Sequence, residues 1–249
     1  MKGIELDPTI VQTNEKLRQL GVKAGLFDLD DALIYTSEIF RFFMAEYADV
    51  VAASSGIDRD YFATRLAVIN DEECVTGKVN PNRWNKVAAR LAGEFPVAAD
   101  SIDSHLPILF KIYSTVPRLR SGAVSILSGL RAGGIKIGIV THSNEDWAFW
   151  KLKMTGIIEH QDVVVVAGQD DDKTSEHWRR CAELLGVPGS KCLIFGDNLK
   201  GDIISGMSIG ARGMWMPSPW LAYREGEVPA GVVQIEQLED FWDGVSRLT

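Results

Sequence analysis

The spacing of apolar positions divides the chain into stretches of different rhythm. Residues 9–20 place Ile10, Leu17 and Leu20 at near-helical intervals ahead of Gly21, which predicts an amphipathic helix packed on the segments after it. The run Ala24-Gly25-Leu26-Phe27-Asp28-Leu29 predicts a short strand over 24–29. From about 36 to 116 the period becomes helical. An apolar face begins within Ser37-Glu38-Ile39-Phe40, and further helices are predicted near 58–69, 81–93 and 101–113. No strand is predicted in this block, and 70–80 is its most polar interior segment, read as a loop. After Pro117 helix and strand alternate: helices near 122–132, 145–155, 174–185 and 200–209, and strands near 135–140, 163–166, 192–195 and 213–216. The apolar segment 232–235 and a helix from about Leu238 close the chain.

Strands apolar on both faces and separated by helices predict a parallel sheet covered on both sides. The expected fold is therefore α/β, a doubly wound parallel-sheet core (1–35 and 117–249) carrying a helical cap domain (36–116) inserted after its first strand.

Composition narrows the function classes. At 249 residues the chain is long enough to bury a large core, and its 46% hydrophobic and 24% charged residues suit a soluble globular protein. A formal net charge of −8 argues against nucleic-acid or anionic-membrane partners, but leaves a small phosphorylated metabolite open, because a bound metal reverses the local field. No apolar run approaches the roughly 20 residues that span a bilayer. The first residues lack the basic-then-apolar order of a signal peptide, and Cys74, Cys181 and Cys192 have no paired spacing, so a cytoplasmic location is expected.

The chemistry concentrates at the predicted strand ends. The first strand runs into Asp28, Asp30 and Asp31, which read either as an acidic turn or as carboxylates gathered around a divalent cation. The next delivers Thr141-His142-Ser143-Asn144, the third Gly168-Gln169-Asp170-Asp171-Asp172-Lys173, and the fourth Gly196-Asp197-Asn198-Leu199-Lys200-Gly201-Asp202. In open α/β sheets ligands sit beyond the carboxyl ends of the strands. Acids, a hydroxyl and a lysine there are the parts that phosphoryl transfer needs.

The order Asp-x-Asp, Thr after an apolar strand, Lys, then Gly-Asp-x-x-x-x-Asp resembles the haloacid dehalogenase-like superfamily from about residue 24 onward, with a helical cap between the first two motifs. The resemblance implies a Mg²⁺-dependent phosphatase acting on a small phosphate monoester. It would make Asp28 the nucleophile that becomes an aspartyl-phosphate. Asp30 would be the acid/base, protonating the leaving oxygen and later deprotonating water. Thr141, with backbone N–H groups of His142 and Ser143, would bind the phosphoryl oxygens. Lys173 would offset negative charge on Asp28 and the phosphoryl group. Mg²⁺ would be held by Asp28, Asp197 and the main-chain carbonyl of Asp30, with Asp202 acting through water or by orienting Lys173.

The same resemblance carries alternatives: a sugar-phosphate mutase, a dehalogenase, a phosphonatase using Lys78, or a non-catalytic module that binds a phosphorylated ligand. The chain departs from the family pattern at Asp31-Ala32, where most members have Gly-Thr, and at Thr174, where many have Pro. Asp tolerates the backbone angle that Gly would favour, and Thr174 is suited to cap the following helix. Ser143 with Asp146 fits a capping box for the helix after Thr141. Asp170, Asp171 and Asp172 read as a solvated face, while Lys78 and Arg83 are candidate contacts for an anionic substrate. The 9–20 helix and Pro217-Ser218-Pro219-Trp220 are candidate surfaces for self-association.

Overall fold

The computed structural model describes residues 8–249. Its centre is a six-stranded parallel sheet in the order β5-β4-β1-β6-β7-β8, formed by β1 (Ala24–Phe27), β4 (Lys136–His142), β5 (Val163–Ala167), β6 (Cys192–Gly196), β7 (Arg212–Trp215) and β8 (Val233–Gln234). A short antiparallel pair, β2 (Ile34–Tyr35) with β3 (Arg118–Leu119), stands apart from it. The α/β class and doubly wound sheet expected from the sequence are those observed. Side chains alternate across a strand, so neighbouring apolar residues feed two different layers. Phe27, Ile139 and Phe195 enter one core with Leu127 and Phe241, whereas Leu26, Val140 and Ile194 enter the other with Trp178 and Cys181. Burial of each such side chain is worth about 1.5–3 kcal/mol.

Helices α7 (Ala123–Ala132), α8 (Glu145–Met154), α9 (Ser175–Leu184), α10 (Ser205–Met207) and α11 (Phe241–Ser246) fill the connections. The N-terminal α1 (Pro8–Gln19) packs on α7 and α11 through buried Leu17 and through Asn14, whose Nδ2 donates to Gly129 O at 2.9 Å. Between β2 and β3 the chain is helical: α2 (Thr36–Ser55), α3 (Arg59–Gly77), α4 (Arg83–Glu94), α5 (Asp100–Asp103) and α6 (Pro107–Phe110). This block has its own apolar cluster, including Tyr47, Phe62, Trp84 and Leu91. None of the described helices is long and apolar enough to cross a membrane.

Three expectations are corrected. The segment 70–80 is not a loop throughout, because α3 continues to Gly77. Its polar residues form a helix face tied to α4, with Arg90 pairing to Glu73 at 3.0 Å and to Glu72. The helix expected over 101–113 is broken into α5, α6 and a 3₁₀ turn over Lys111–Ser114, with Pro107 starting α6 where a missing N–H costs least. The helix expected over 200–209 begins as a wide π-turn, Leu199–Ile204, and α10 follows it.

Candidate active site

Strand β1 lies at the sheet's topological switch point, with β4 on one side and β6 on the other. The residues following these three strands therefore face a common crevice. Asp28 continues the ladder by one residue, its N–H donating to Phe195 O at 2.8 Å, and its carboxylate is buried. Thr141, within β4, and Asp197, just after β6, are buried beside it. The π-turn brings the next acid back to the same place. The Asn198 side chain accepts from Lys200 N and Gly201 N, while Asn198 N donates to Asp202 Oδ2 at 2.9 Å. A Cβ on Gly196 would stand 2.3 Å from Asp202 Oδ2, so only glycine lets Asp202 fold back over the strand end.

Lys173 joins these acids. Its ammonium pairs with Asp28, lies 2.5 Å from Asp202 Oδ1 and donates to Val140 O at 3.3 Å. Burial pushes the Asp28 carboxyl up to about 8, with Asp202 and Asp30 adding to the rise and Lys173 opposing it. Asp197 is pushed well up by burial and by Asp28 and Asp202. Burial works against the Lys173 charge, but Asp202 and Asp28 outweigh it and hold the ammonium above its usual range. Asp28, Asp197 and Asp202 each offer an oxygen within 4.8 Å of the others. Burial and mutual repulsion raise two of these three acids, and one lysine falls short of all three once they ionise. An all-oxygen set with that deficit fits a hard divalent cation.

Asp30 is held differently. Its Oδ1 accepts from Thr36 Oγ1 at 2.5 Å and its Oδ2 from Thr141 Oγ1 at 3.2 Å. Lys151 Nζ donates to both oxygens, at 2.5 and 2.6 Å, from a side chain with no solvent exposure. Sequence reasoning missed Lys151. The clue was available on α8, where Lys151 shares a helical face with buried Ala148 and Leu152 while Phe149 and Met154 point outward.

The remaining predicted residues divide. Asp31 takes φ 56°, the left-handed angle that Gly would favour. Its carboxylate accepts from Ser37 N at 2.9 Å, Ser37 Oγ at 2.7 Å and Trp220 Nε1 at 3.2 Å. The Ser143 N–H is not available to a phosphoryl group as expected. The parallel ladder of β4 and β5 runs on to it, and it donates to Ala167 O at 3.1 Å. The Ser143 hydroxyl, fully buried and without a hydrogen-bond partner among the described residues, is the free group instead. Ser143 does not cap α8 either: Asn144 does, its side chain accepting from Trp147 N at 3.2 Å. His142 Nε2 is also unpartnered, and burial, followed by the Lys173 charge, lowers this imidazole to about 4. Thr174 stands at the N-cap of α9, where its N–H donates to His177 Nδ1 at 3.1 Å.

The acids read as a solvated face meet the helical block. Asp172 pairs with Lys78 at 2.8 Å, Asp170 accepts from Asn80 Nδ2 at 2.7 Å, and Val79 N donates to Gln169 O at 3.2 Å. Arg83 is buried, with Nε donating to Asn70 Oδ1 at 3.2 Å and its guanidinium 4.7 Å from the Trp84 ring centroid.

A crevice at the switch point that holds this set of acids, hydroxyl and lysine defines a class. The family model for haloacid dehalogenase-like hydrolase matches residues 22–210, and the chain belongs to that family of hydrolases. Among curated relatives it is 29% identical over 127 residues to "Pyrimidine 5'-nucleotidase YjjG" of Escherichia coli, spanning 47% of this chain and 55% of that one. It is 27% identical over 197 residues to "Putative pyrophosphatase PpaX" of Clostridium perfringens, spanning 77% of this chain and 82% of that one. A haloacid dehalogenase-like hydrolase from Xanthomonas campestris shares the fold, with a TM-score of 0.70 at 14% identity over 91% of each chain.

Proposed function

We propose that this hydrolase is a Mg²⁺-dependent phosphatase of a small, cytoplasmic phosphate monoester and works through an aspartyl-phosphate. The observation that carries the reading is the convergence of Lys173 on Asp28 and Asp202, with Asp30 and Thr141 joined beside them. In the first step Asp30 enters as the protonated acid; a carboxylate oxygen of Asp28 attacks phosphorus, the bond to the leaving oxygen breaks, and Asp30 gives that oxygen its proton. In the second step water attacks phosphorus, Asp30 takes its proton, and the Asp28–phosphorus bond breaks. Thr141 and the Ser143 hydroxyl bind the phosphoryl oxygens, with His142 beside them. Lys173, kept charged by its two carboxylates, offsets the charge that builds on the phosphoryl group.

Asp28, Asp197, the Asp30 main-chain carbonyl and Asp202 are the groups to hold Mg²⁺, with Asp202 also orienting Lys173. When bound, the ion neutralises charge on phosphate and nucleophile together. An acid/base at Asp30 favours phosphoester hydrolysis over dehalogenation, which needs neither that acid nor a metal. Residues 36–116 act as a cap that closes over the substrate, and the contacts of Lys78 and Asn80 with 169–172 are its closing seam.

Turnover of p-nitrophenyl phosphate with Mg²⁺, with EDTA and in Asp28→Asn tests this. Metal-dependent release of nitrophenol is expected, with a loss of at least about 10³-fold in the variant. Wild-type turnover by Asp28→Asn would remove Asp28 as the nucleophile. Failure of every phosphate ester and phosphoanhydride in a broad panel would favour a binding module.

A further inference from the structure

A lysine with no solvent exposure, on the inward face of a helix, needs a reason beyond packing. At that position on α8 an apolar side chain would fill the space beside Ala148 and Leu152 without any charge to desolvate. Replacing a buried ion pair by apolar groups is often neutral or stabilising, so Lys151 is not explained by stability. Among the described residues its ammonium pairs with one anion, Asp30, and reaches both of its oxygens. The underside of the ammonium rests on the Trp147 ring, 3.8 Å from its centroid, which fixes its approach.

The other groups holding Asp30 are conditional. Thr141 Oγ1 donates to Asp30 Oδ2, yet a hydroxyl has one proton, and a bound phosphoryl oxygen claims it. Thr36 lies in the first turn of α2, the helix that leads into the proposed cap. Lys151 is the donor carried by α8 of the sheet domain, and neither a phosphoryl oxygen nor α2 supplies it. Asp28 and Asp30 also lie close enough to repel. Without a fixed cation on its far side, Asp30 is free to turn away from the leaving oxygen.

We propose that Lys151 is the positioning residue of the acid/base, clamping the Asp30 carboxylate where it serves the leaving oxygen and the attacking water. This rests on the reading of Asp30 as the acid/base. Lys151 stays engaged with this carboxylate through the cycle. Once Thr141 turns to the phosphoryl group, Oδ2 is the oxygen left to exchange the proton.

The test compares wild type, Lys151→Met and Lys151→Arg on two aryl esters of similar shape. In p-nitrophenyl phosphate the leaving group departs with little help, whereas in phenyl phosphate it is more basic and needs the proton. Lys151→Met is expected to lower kcat on phenyl phosphate at least about 10-fold more than on p-nitrophenyl phosphate, with KM changed less than about twofold on either. Lys151→Arg, which keeps a cation with altered geometry, falls between. Equal losses on the two esters, a loss confined to KM, or unchanged kcat would overturn the proposal.

A crystal structure of Lys151→Met with Mg²⁺ reads the same point without turnover. The Asp30 carboxylate is expected to have left Thr36 and Thr141, and finding it unmoved overturns the clamp. Should Lys151→Met not fold, the same structure of Lys151→Arg is expected to have a displaced Asp30, and an unmoved carboxylate there overturns it equally. Failure of the phosphatase reading looks different: wild type then turns over neither ester, while the position of Asp30 in the variant structure still decides the clamp.

Discussion

Two carboxylate–lysine pairs, built on Asp28 and Asp30 two residues apart, follow opposite rules. Lys173 is shared: it meets Asp28 and Asp202, with Asp197 beside them, so one ammonium serves three acids. Among the described residues Lys151 is exclusive: it meets Asp30 through both oxygens, one ammonium to one acid. A corner with more acids than lysines suits a divalent cation, whereas a lysine matched to one acid holds its carboxylate still. The difference matches the two duties read for Asp28 and Asp30, one that reacts and one that moves protons.

The largest break in this comparison comes from removing each lysine in turn. Lys173→Met removes the ammonium that pairs with buried Asp28 and Asp202. Leaving a buried charge unpaired typically costs about 3–5 kcal/mol of stability, and loss of an electrostatic stabiliser lowers turnover by at least about 10²-fold. Lys151→Met leaves Asp30 partly exposed, with a side-chain exposure of 24% and two threonine donors, so a loss under about 2 kcal/mol is expected. Urea denaturation of both metal-free variants measures the contrast. Equal losses would mean that the two corners do not differ in charge balance.

A smaller effect separates the corners by pH. In the metal-free protein the folded Asp28 carboxyl titrates at about 8, against an ordinary value of 3.8. A raised value means that the folded state binds the proton more tightly than the unfolded chain does. The resulting stabilisation is therefore complete below about 4 and is lost as pH rises through about 8. Mg²⁺ must displace that proton, so its stabilisation grows over the same window. The Mg²⁺-induced rise in Tm is expected to be several degrees larger at pH 9 than at pH 6. An equal rise at both would place the bound ion away from Asp28.

Much of this was legible in the residues themselves. Asp28, Thr141, Lys173, Asp197 and Asp202 announce themselves because each lies at the end of an apolar strand or in the loop after it, and a strand end has little other use for such groups. Lys151 was hidden because a helix full of tryptophan and phenylalanine reads as a packing element whichever face carries its lysine. The inversion on α8, with Phe149 exposed and Lys151 buried, becomes visible only when each side chain is assigned a face. Ser143 misled for a related reason: an N–H near a helix start looks available until the neighbouring strand is known to have taken it. The fold was clear where apolar periodicity was strong. It was less clear in α3 and the turn after β6, where salt bridges and an Asn side chain decide the backbone.

The smallest prediction concerns the third carboxylate of the same loop, which has no lysine within ion-pair distance. Asp31 is buried and its carboxyl is raised by that burial, but it is held by neutral donors, two from Ser37 at the start of α2 and one from Trp220. It thus fastens the β1 loop to the helix entering the proposed cap and to the segment after β7. Asp31→Gly restores the residue usual in the family and suits the backbone, since φ is 56°. The variant loses three hydrogen bonds, each worth about 1 kcal/mol at most once the freed Ser37 and Trp220 donors find water. The relief of left-handed strain, about 1–2 kcal/mol, less the extra unfolded-chain entropy of glycine, about 0.4–1 kcal/mol, returns part of that. A net loss of about 1–2 kcal/mol is expected by urea denaturation, with kcat on p-nitrophenyl phosphate within about threefold of wild type. Asp31→Ala, which loses the same bonds and keeps the strain, should be the less stable of the two. A fall in kcat as deep as that of Lys173→Met would make Asp31 part of the reacting set and would collapse the distinction between the corners.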